Sequence, residues 1–291
     1  MRPKLIGAAI AAAAFAPFLS QAAPAADEPV LGELPAGGAS GFEVRDVRAE
    51  VCLRQVFPAS AVPVDLPHGY RLATLAEKAK TPWTADLLRK RPELRDYARG
   101  SFCFVDSGVH TINGRLVHPG RRRSTFAFSW VDIVPTEGAP TDARFHGAPR
   151  RMQLFWIYDS AGVDRKLART ALPDAMFGRI RMAQSGDSWL IRLDMDGGVL
   201  TGRVKPTTAR QRLVYPEPGY ETVLLGGAPR DNYFTVITFA GHHERLAEGE
   251  WKVSGKPKWV RSIVPDIAIE AGSFIQDGWA ASSRLYAYKQ D

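Results

Sequence analysis

The feature that most constrains this chain is the recurrence of short β-prone runs, each rich in Val, Ile, Phe, Tyr or Trp and bounded by Gly, Pro, Asn or Asp. They cover residues 42–57, 101–112, 124–134, 152–158, 189–195, 199–204, 232–239 and 284–288. β-Branched and aromatic side chains suit a pleated, half-buried surface, and the bounding residues supply the turns. Asp196-Gly197-Gly198 between two of the runs predicts a hairpin, because tight turns of this kind need positive φ. Two segments follow a different period. Residues 81–90 offer a Thr cap, Pro82 in the first turn and then helix formers as far as Pro92. Residues 163–172 form a charged amphipathic stretch that stops at Pro173. Many strands and few helices predict a β-dominated α+β domain.

The first 25 residues read as a signal peptide: Arg2 and Lys4, an uncharged apolar run of 14 residues over 5–18, then a stretch of small residues. Fourteen residues fall short of the roughly 20 that a membrane-spanning helix needs, so cleavage near 22–26 is expected, with no membrane span afterwards. Residues 26–40 are rich in Ala, Gly and Pro and read as a flexible leader. No linker-like shift in composition follows, so residues 41–291 are expected to form a single domain in a periplasmic or secreted protein. In that oxidising setting the two cysteines, Cys52 and Cys103, have a reason to pair, because both sit in strand-like runs that can be neighbours. Two buried free thiols are the alternative.

The chain carries 38 basic and 31 acidic residues, a net charge of +7 that falls to +5 once Arg2 and Lys4 leave. This modest excess favours small anions and lacks the basic stripe of a nucleic-acid surface. Arg121-Arg122-Arg123 reads as a solvated turn. No phosphate-binding loop, dinucleotide fingerprint, zincin helix or nucleophile elbow is present. The adjacent His242 and His243 would point to opposite faces of a strand and so could not share an ion. No metal and no cofactor are expected.

An early strand with Arg45 and Arg48 is followed by the Pro- and Gly-containing segment 57–70, and further on by Trp156-Ile157-Tyr158-Asp159 and a helix. Phe177-Gly178-Arg179-Ile180-Arg181-Met182, the Asp196-Gly197-Gly198 turn and the segments 265–270 and 284–288 come after them. This order of segments is similar to that of the acetoacetate decarboxylase-like superfamily. It spans roughly residues 42–288, with 72–99 and their helix looking like an insertion. The resemblance implies a closed or nearly closed antiparallel barrel or cone around an apolar cavity, where a lysine attacks a ketone to form a Schiff base. At the matching segment this chain has Arg179 and Arg181, and no lysine occurs between Lys166 and Lys205. A guanidinium stays protonated and cannot form an imine.

Arg179 and Arg181 alternate with Ile180 and therefore share one face of a strand. Facing inward they would converge on a carboxylate, which guanidinium binds bidentately; facing outward they are surface charges. Arg45 or Arg48 would match the family's first-strand arginine. Asp132, sharing a face with Phe128 and Trp130, matches the acidic residue on the cavity wall and would act as general acid or base if its pKa were raised. A salt contact with an arginine is its other reading. The expected ligand is a small carboxylate or keto acid, turned over by a lyase or enolising step without an imine, or carried without turnover. A purely structural domain is a third reading, and self-association into a homo-oligomer is compatible with each.

Overall fold

The computed structural model describes residues 39–61, 66, 69–79, 81–137, 139, 150–172, 175–212, 220–225, 233–255 and 270–287. The expected signal peptide and nearly all of the leader lie outside them, as does segment 265–269. The strands are β1 (Ala39–Pro58), β2 (Tyr70–Leu72), β3 (Tyr97–Ile112), β4 (Arg115–Leu116), β5 (Ser124–Pro135), β6 (Arg150–Asp159), β7 (Met176–Ser185) and β8 (Ser188–Met195). They continue as β9 (Gly198–Pro206), β10 (Gln211–Arg212), β11 (Tyr220–Leu225), β12 (Tyr233–Ala240), β13 (His243–Ser254), β14 (Glu270–Asp277) and β15 (Ala280–Ala287). Among the described residues two α-helices occur, α1 (Pro82–Lys90) and α2 (Arg165–Ala171). The β-dominated class read from the sequence is the architecture observed.

The sheet closes on itself. One circuit of nine strands runs β1–β3–β5–β6–β7–β8–β9–β13–β14 and returns to β1. A second circuit of seven shares β1, β3, β5 and β6 and returns through β11, β12 and β15. All these pairings are antiparallel except β6 with β7 and β6 with β11. Closure leaves few free edges, the hazard of any large sheet.

What divides the strands between the circuits is a kink in β1. Its first part pairs with β15 and its second, from Glu50 to Val56, with β14. Between them the register against β3 shifts at Val47/Ala49, and Asp46 has φ 50°. Gly108 makes room there, since a Cβ on it would lie 2.3 Å from Asp46 Oδ2. The expected Asp196–Gly197 hairpin joins β8 to β9, with φ of 48° and 76° at the two turn residues.

Both predicted helices form for local reasons. α2 is capped by Asp164, whose carboxylate accepts from Leu167 N–H at 2.9 Å, and it buries Leu167 and Ala168 against Tyr158 and Trp156. α1 has Pro at its start, as expected, but Thr81 does not cap it. The Thr81 hydroxyl instead donates to Thr84 Oγ1 at 2.7 Å and accepts from Arg99 at 3.0 Å, tying the helix to the barrel.

The faces of the shared strands pack differently. One meets β7, β8 and β9 in a cluster that includes Val51, Phe102, Phe104, Ile157, Leu193 and Leu200. The other turns Phe126, Trp156 and Tyr158 toward Ile237 and Ala281.

Candidate functional site

The aromatic face encloses a cavity of about 70 Å³. Alternation along each strand delivers its walls. Past the kink, β1 presents Glu50 and Arg54. β5 presents Phe126, Phe128 and Trp130, while β6 presents Arg151, Gln153 and, after a register shift, Trp156. β14 adds Phe274 and Gln276, and Phe239, His242 and Trp279 are also part of the wall, as are Phe42 and Val44 of β1 before the kink. Phe126 and Trp156 stack 4.8 Å apart at 7°, and His242 lies over Trp279 at 5.7 Å and 19°. The lining is thus an apolar chamber with charged groups on one side. Arg54 and Arg151 against Glu50 give it a formal charge of +1.

Arg54 is the most unusual of these groups. It is buried, with its guanidinium carbon 4.0 Å from the centre of the Phe274 ring and 4.9 Å from that of Trp83. Burial, and then the neighbouring Arg99, lower its pKa to about 9, so it still carries its charge at neutral pH. Its Nε–H has no hydrogen-bond partner, and neither has the indole N–H of Trp156 or of Trp279. Burial also lowers His242 to about 4, which leaves its imidazole neutral.

Directly behind the polar side lies an ion-pair cluster. Arg99 and Asp132 are bonded to each other, both buried, and Arg99 also donates to Thr84 Oγ1 at 2.7 Å. Lys78 Nζ and Arg151 Nε stand 4.0 and 3.9 Å from Asp132. Burial alone would raise the Asp132 pKa, but Arg99, Lys78 and Arg151 together outweigh it and hold the carboxyl below its ordinary value. Asp132 is therefore a fixed anion that neutralises cations, and it does not line the cavity. The raised pKa expected of a general acid or base is corrected by these three neighbours.

The other predicted residues lie elsewhere. Ile180 turns inward, so Arg179 and Arg181 are exposed on the outer face of β7, away from the cavity. Arg45 is exposed and pairs with Glu43; Arg48 bonds Asp106 and lies 5.1 Å from the Trp189 ring. The cavity-facing arginine of the first strand is Arg54, on the face shared by Phe42, Val44 and Glu50; Arg45 lies on the other face, and at the bulge Val47 turns inward in place of Arg48. Cys52 and Cys103 are directly paired across β1 and β3 and joined by a disulfide, S–S 2.08 Å. Their sulfurs pack against Phe128 and Phe274, and Cys52 Sγ is 3.4 Å from Glu50 Oε1. Lys166 is exposed on α2, and no lysine is among the described residues that line the cavity. Glu50, Arg54, Arg151, Gln153 and Gln276 went unread. Their one sequence signal is period-two polarity inside apolar runs, Glu50-x-Cys52-x-Arg54 and Arg151-x-Gln153.

No family model matches the chain, and no curated protein matches it. Solved structures do resemble it. An acetoacetate decarboxylase from Legionella pneumophila superimposes with a TM-score of 0.48 at 10% identity, over 93% of this chain and 94% of that one. An acetoacetate decarboxylase-like enzyme from Sphingomonas wittichii RW1 gives 0.48 at 11%, over 88% and 94%. The enduracididine biosynthesis enzyme MppR, solved with pyruvate, gives 0.46 at 11%, over 89% and 94%. The similarity is one of fold.

Proposed function

We propose that this cavity binds a small carboxylate without a covalent bond, with Arg54 as its anchor. The observation that carries this reading is the set of buried donors without partners on cavity residues: Arg54 Nε, Trp156 Nε1 and Trp279 Nε1. Each unsatisfied buried donor costs about 1–3 kcal/mol, and a ligand rich in acceptors relieves that cost. A guanidinium in a dry, aromatic setting suits one carboxylate, which it can hold by two parallel hydrogen bonds. One water needs roughly 10–15 Å³ of such space, so the cavity holds about five water-sized groups and the ligand is small. The Cys52–Cys103 disulfide supports work in an oxidising compartment, in keeping with residues 1–25 as a signal peptide.

Glu50 supports a second step beyond binding. It is the carboxyl on the same wall as Arg54, placed to exchange a proton with the carbon next to a keto group while the arginine holds the acid. That step is an enolisation and forms no imine.

The test is a thermal-shift panel of short carboxylates and keto acids. Concentration-dependent stabilisation is expected from the native protein and not from Arg54→Gln, and a flat response from the native protein would end the binding reading. Borohydride added with acetoacetate should leave the mass unchanged, whereas an adduct would show an imine-forming lysine. Exchange of α-protons of a keto acid into deuterated water, lost in Glu50→Gln, separates the enolising reading from simple carriage.

A further inference from the structure

We infer that Trp83, carried by α1, is a specificity-determining residue: it ends the cavity at Arg54 and restricts the ligand to short monocarboxylates. The inference rests on the carboxylate reading above. On β14 the cavity-facing row runs Gln276, Phe274 and then Gly272, which has no side chain to continue the wall. Gly272 is directly opposite Arg54 across the β1–β14 pairing. The missing place is taken by Trp83, since a Cβ on Gly272 would lie 2.9 Å from Trp83 Nε1 and 3.3 Å from Cζ2. The same indole lies against the Arg54 guanidinium. A residue outside the cavity strands therefore packs behind Arg54 at this end, one layer beyond the lining side chains, and glycine is what lets the ring descend onto the sheet.

This placement has a consequence for selectivity. Held against the two rings of Phe274 and Trp83, the guanidinium has a restricted plane, and a carboxylate must meet it end-on. A ligand too long for the chamber would have to extend past Arg54 at this end, and there its chain or second carboxylate would run into the indole. Trp83 is only partly buried, so removing it opens this end of the cavity toward solvent. Selectivity of this kind comes from a steric barrier against the longer ligand and not from an added attraction for the shorter.

The experiment compares butyrate with the longer dicarboxylate adipate by calorimetric titration of the full chain. The native protein should favour butyrate at least about tenfold, about 1.4 kcal/mol. Trp83→Ala should abolish that ratio, and Trp83→Phe, which keeps a ring over Arg54, should largely restore it. Gly272→Ala is the second variant, because it displaces the indole while leaving α1 intact, and it should lower the ratio in the same direction. A ratio that survives both Trp83→Ala and Gly272→Ala overturns the inference while leaving the carboxylate reading intact. A native protein that binds neither acid overturns the carboxylate reading itself. A general loss of affinity with the ratio preserved marks Trp83 as merely structural and also overturns the inference.

Discussion

The two faces of the sheet formed by β1, β3, β5 and β6 are built by the same alternation, yet one half of the molecule is filled and the other is hollow. Against β7, β8 and β9 the packing is mainly aliphatic, with Val51, Ile157, Ile191, Leu193, Leu200 and Val204 around Phe102 and Phe104. Branched side chains of unequal size interdigitate to native density. On the other face, flat rings stack on one another, and the charged heads of Arg54 and Arg151 need room of their own. Buried polar atoms without partners, on Arg54, His110, Trp156 and Trp279, belong to this half. The filled half stabilises the barrel, and the hollow half gives up packing and hydrogen bonds that a ligand can restore.

The largest expected effect tests the filled half. Phe104 is fully buried against Phe102 and Trp251, so Phe104→Ala should cost about 3–5 kcal/mol in denaturant unfolding and leave the carboxylate response intact. Phe128→Ala, beside the existing cavity, should cost clearly less; equal costs would erase the distinction between the halves.

Acid should act on the hollow half next. Burial lowers His110 to about 3 and His242 to about 4, from an ordinary 6.5. Between those values the unfolded chain holds more protons than the folded one, so stability rises with pH. It is fully present above about pH 6.5 and is lost as pH falls toward 4, by on the order of 3 kcal/mol for each imidazole. The depressed Asp132 carboxyl acts in the same direction at still lower pH. Unfolding midpoints across this range should fall steeply in the native protein and less in His110→Phe; a parallel fall in both would remove His110 from the account.

Arg54→Gln sharpens the comparison differently. The substitution takes a desolvated charge out of the hollow half, so the free protein should change by less than about 1 kcal/mol, or gain, while carboxylate binding weakens at least about tenfold. A large loss of stability in the free protein would make Arg54 a structural ion. The smallest effect belongs to the exposed pair: Arg179→Gln with Arg181→Gln should move stability by no more than about 0.5 kcal/mol and leave binding unchanged.

Much of the architecture was legible because its causes are local. The β-prone runs, the Asp196–Gly197 turn, the amphipathic stretch that becomes α2 and the proline at the start of α1 depend on residues a few positions apart. β13 was not legible. Its sides are half-buried or exposed and carry Glu244, Arg245, Glu248, Glu250 and Lys252, so no apolar run marks it. The site failed for another reason. Alternation predicts which residues share a face only while the register holds, and the kink at Asp46 with the shift at Val47/Ala49 falls at Arg45 and Arg48 themselves, well before Arg54.

By itself the sequence determined that this is a β-dominated chain with two short helices, two cysteines in strand-like runs and no lysine in the segment resembling a catalytic one. Backbone propensity, turn chemistry and covalent possibility are properties of nearby residues. Only the tertiary structure decided that Arg54 and not Arg179 meets the cavity, that Asp132 is neutralised by Arg99, and that Trp83 stands over Gly272. Those outcomes depend on which distant strands close the barrel, and a carboxylate or guanidinium acquires its chemistry from the charges and rings that closure places beside it.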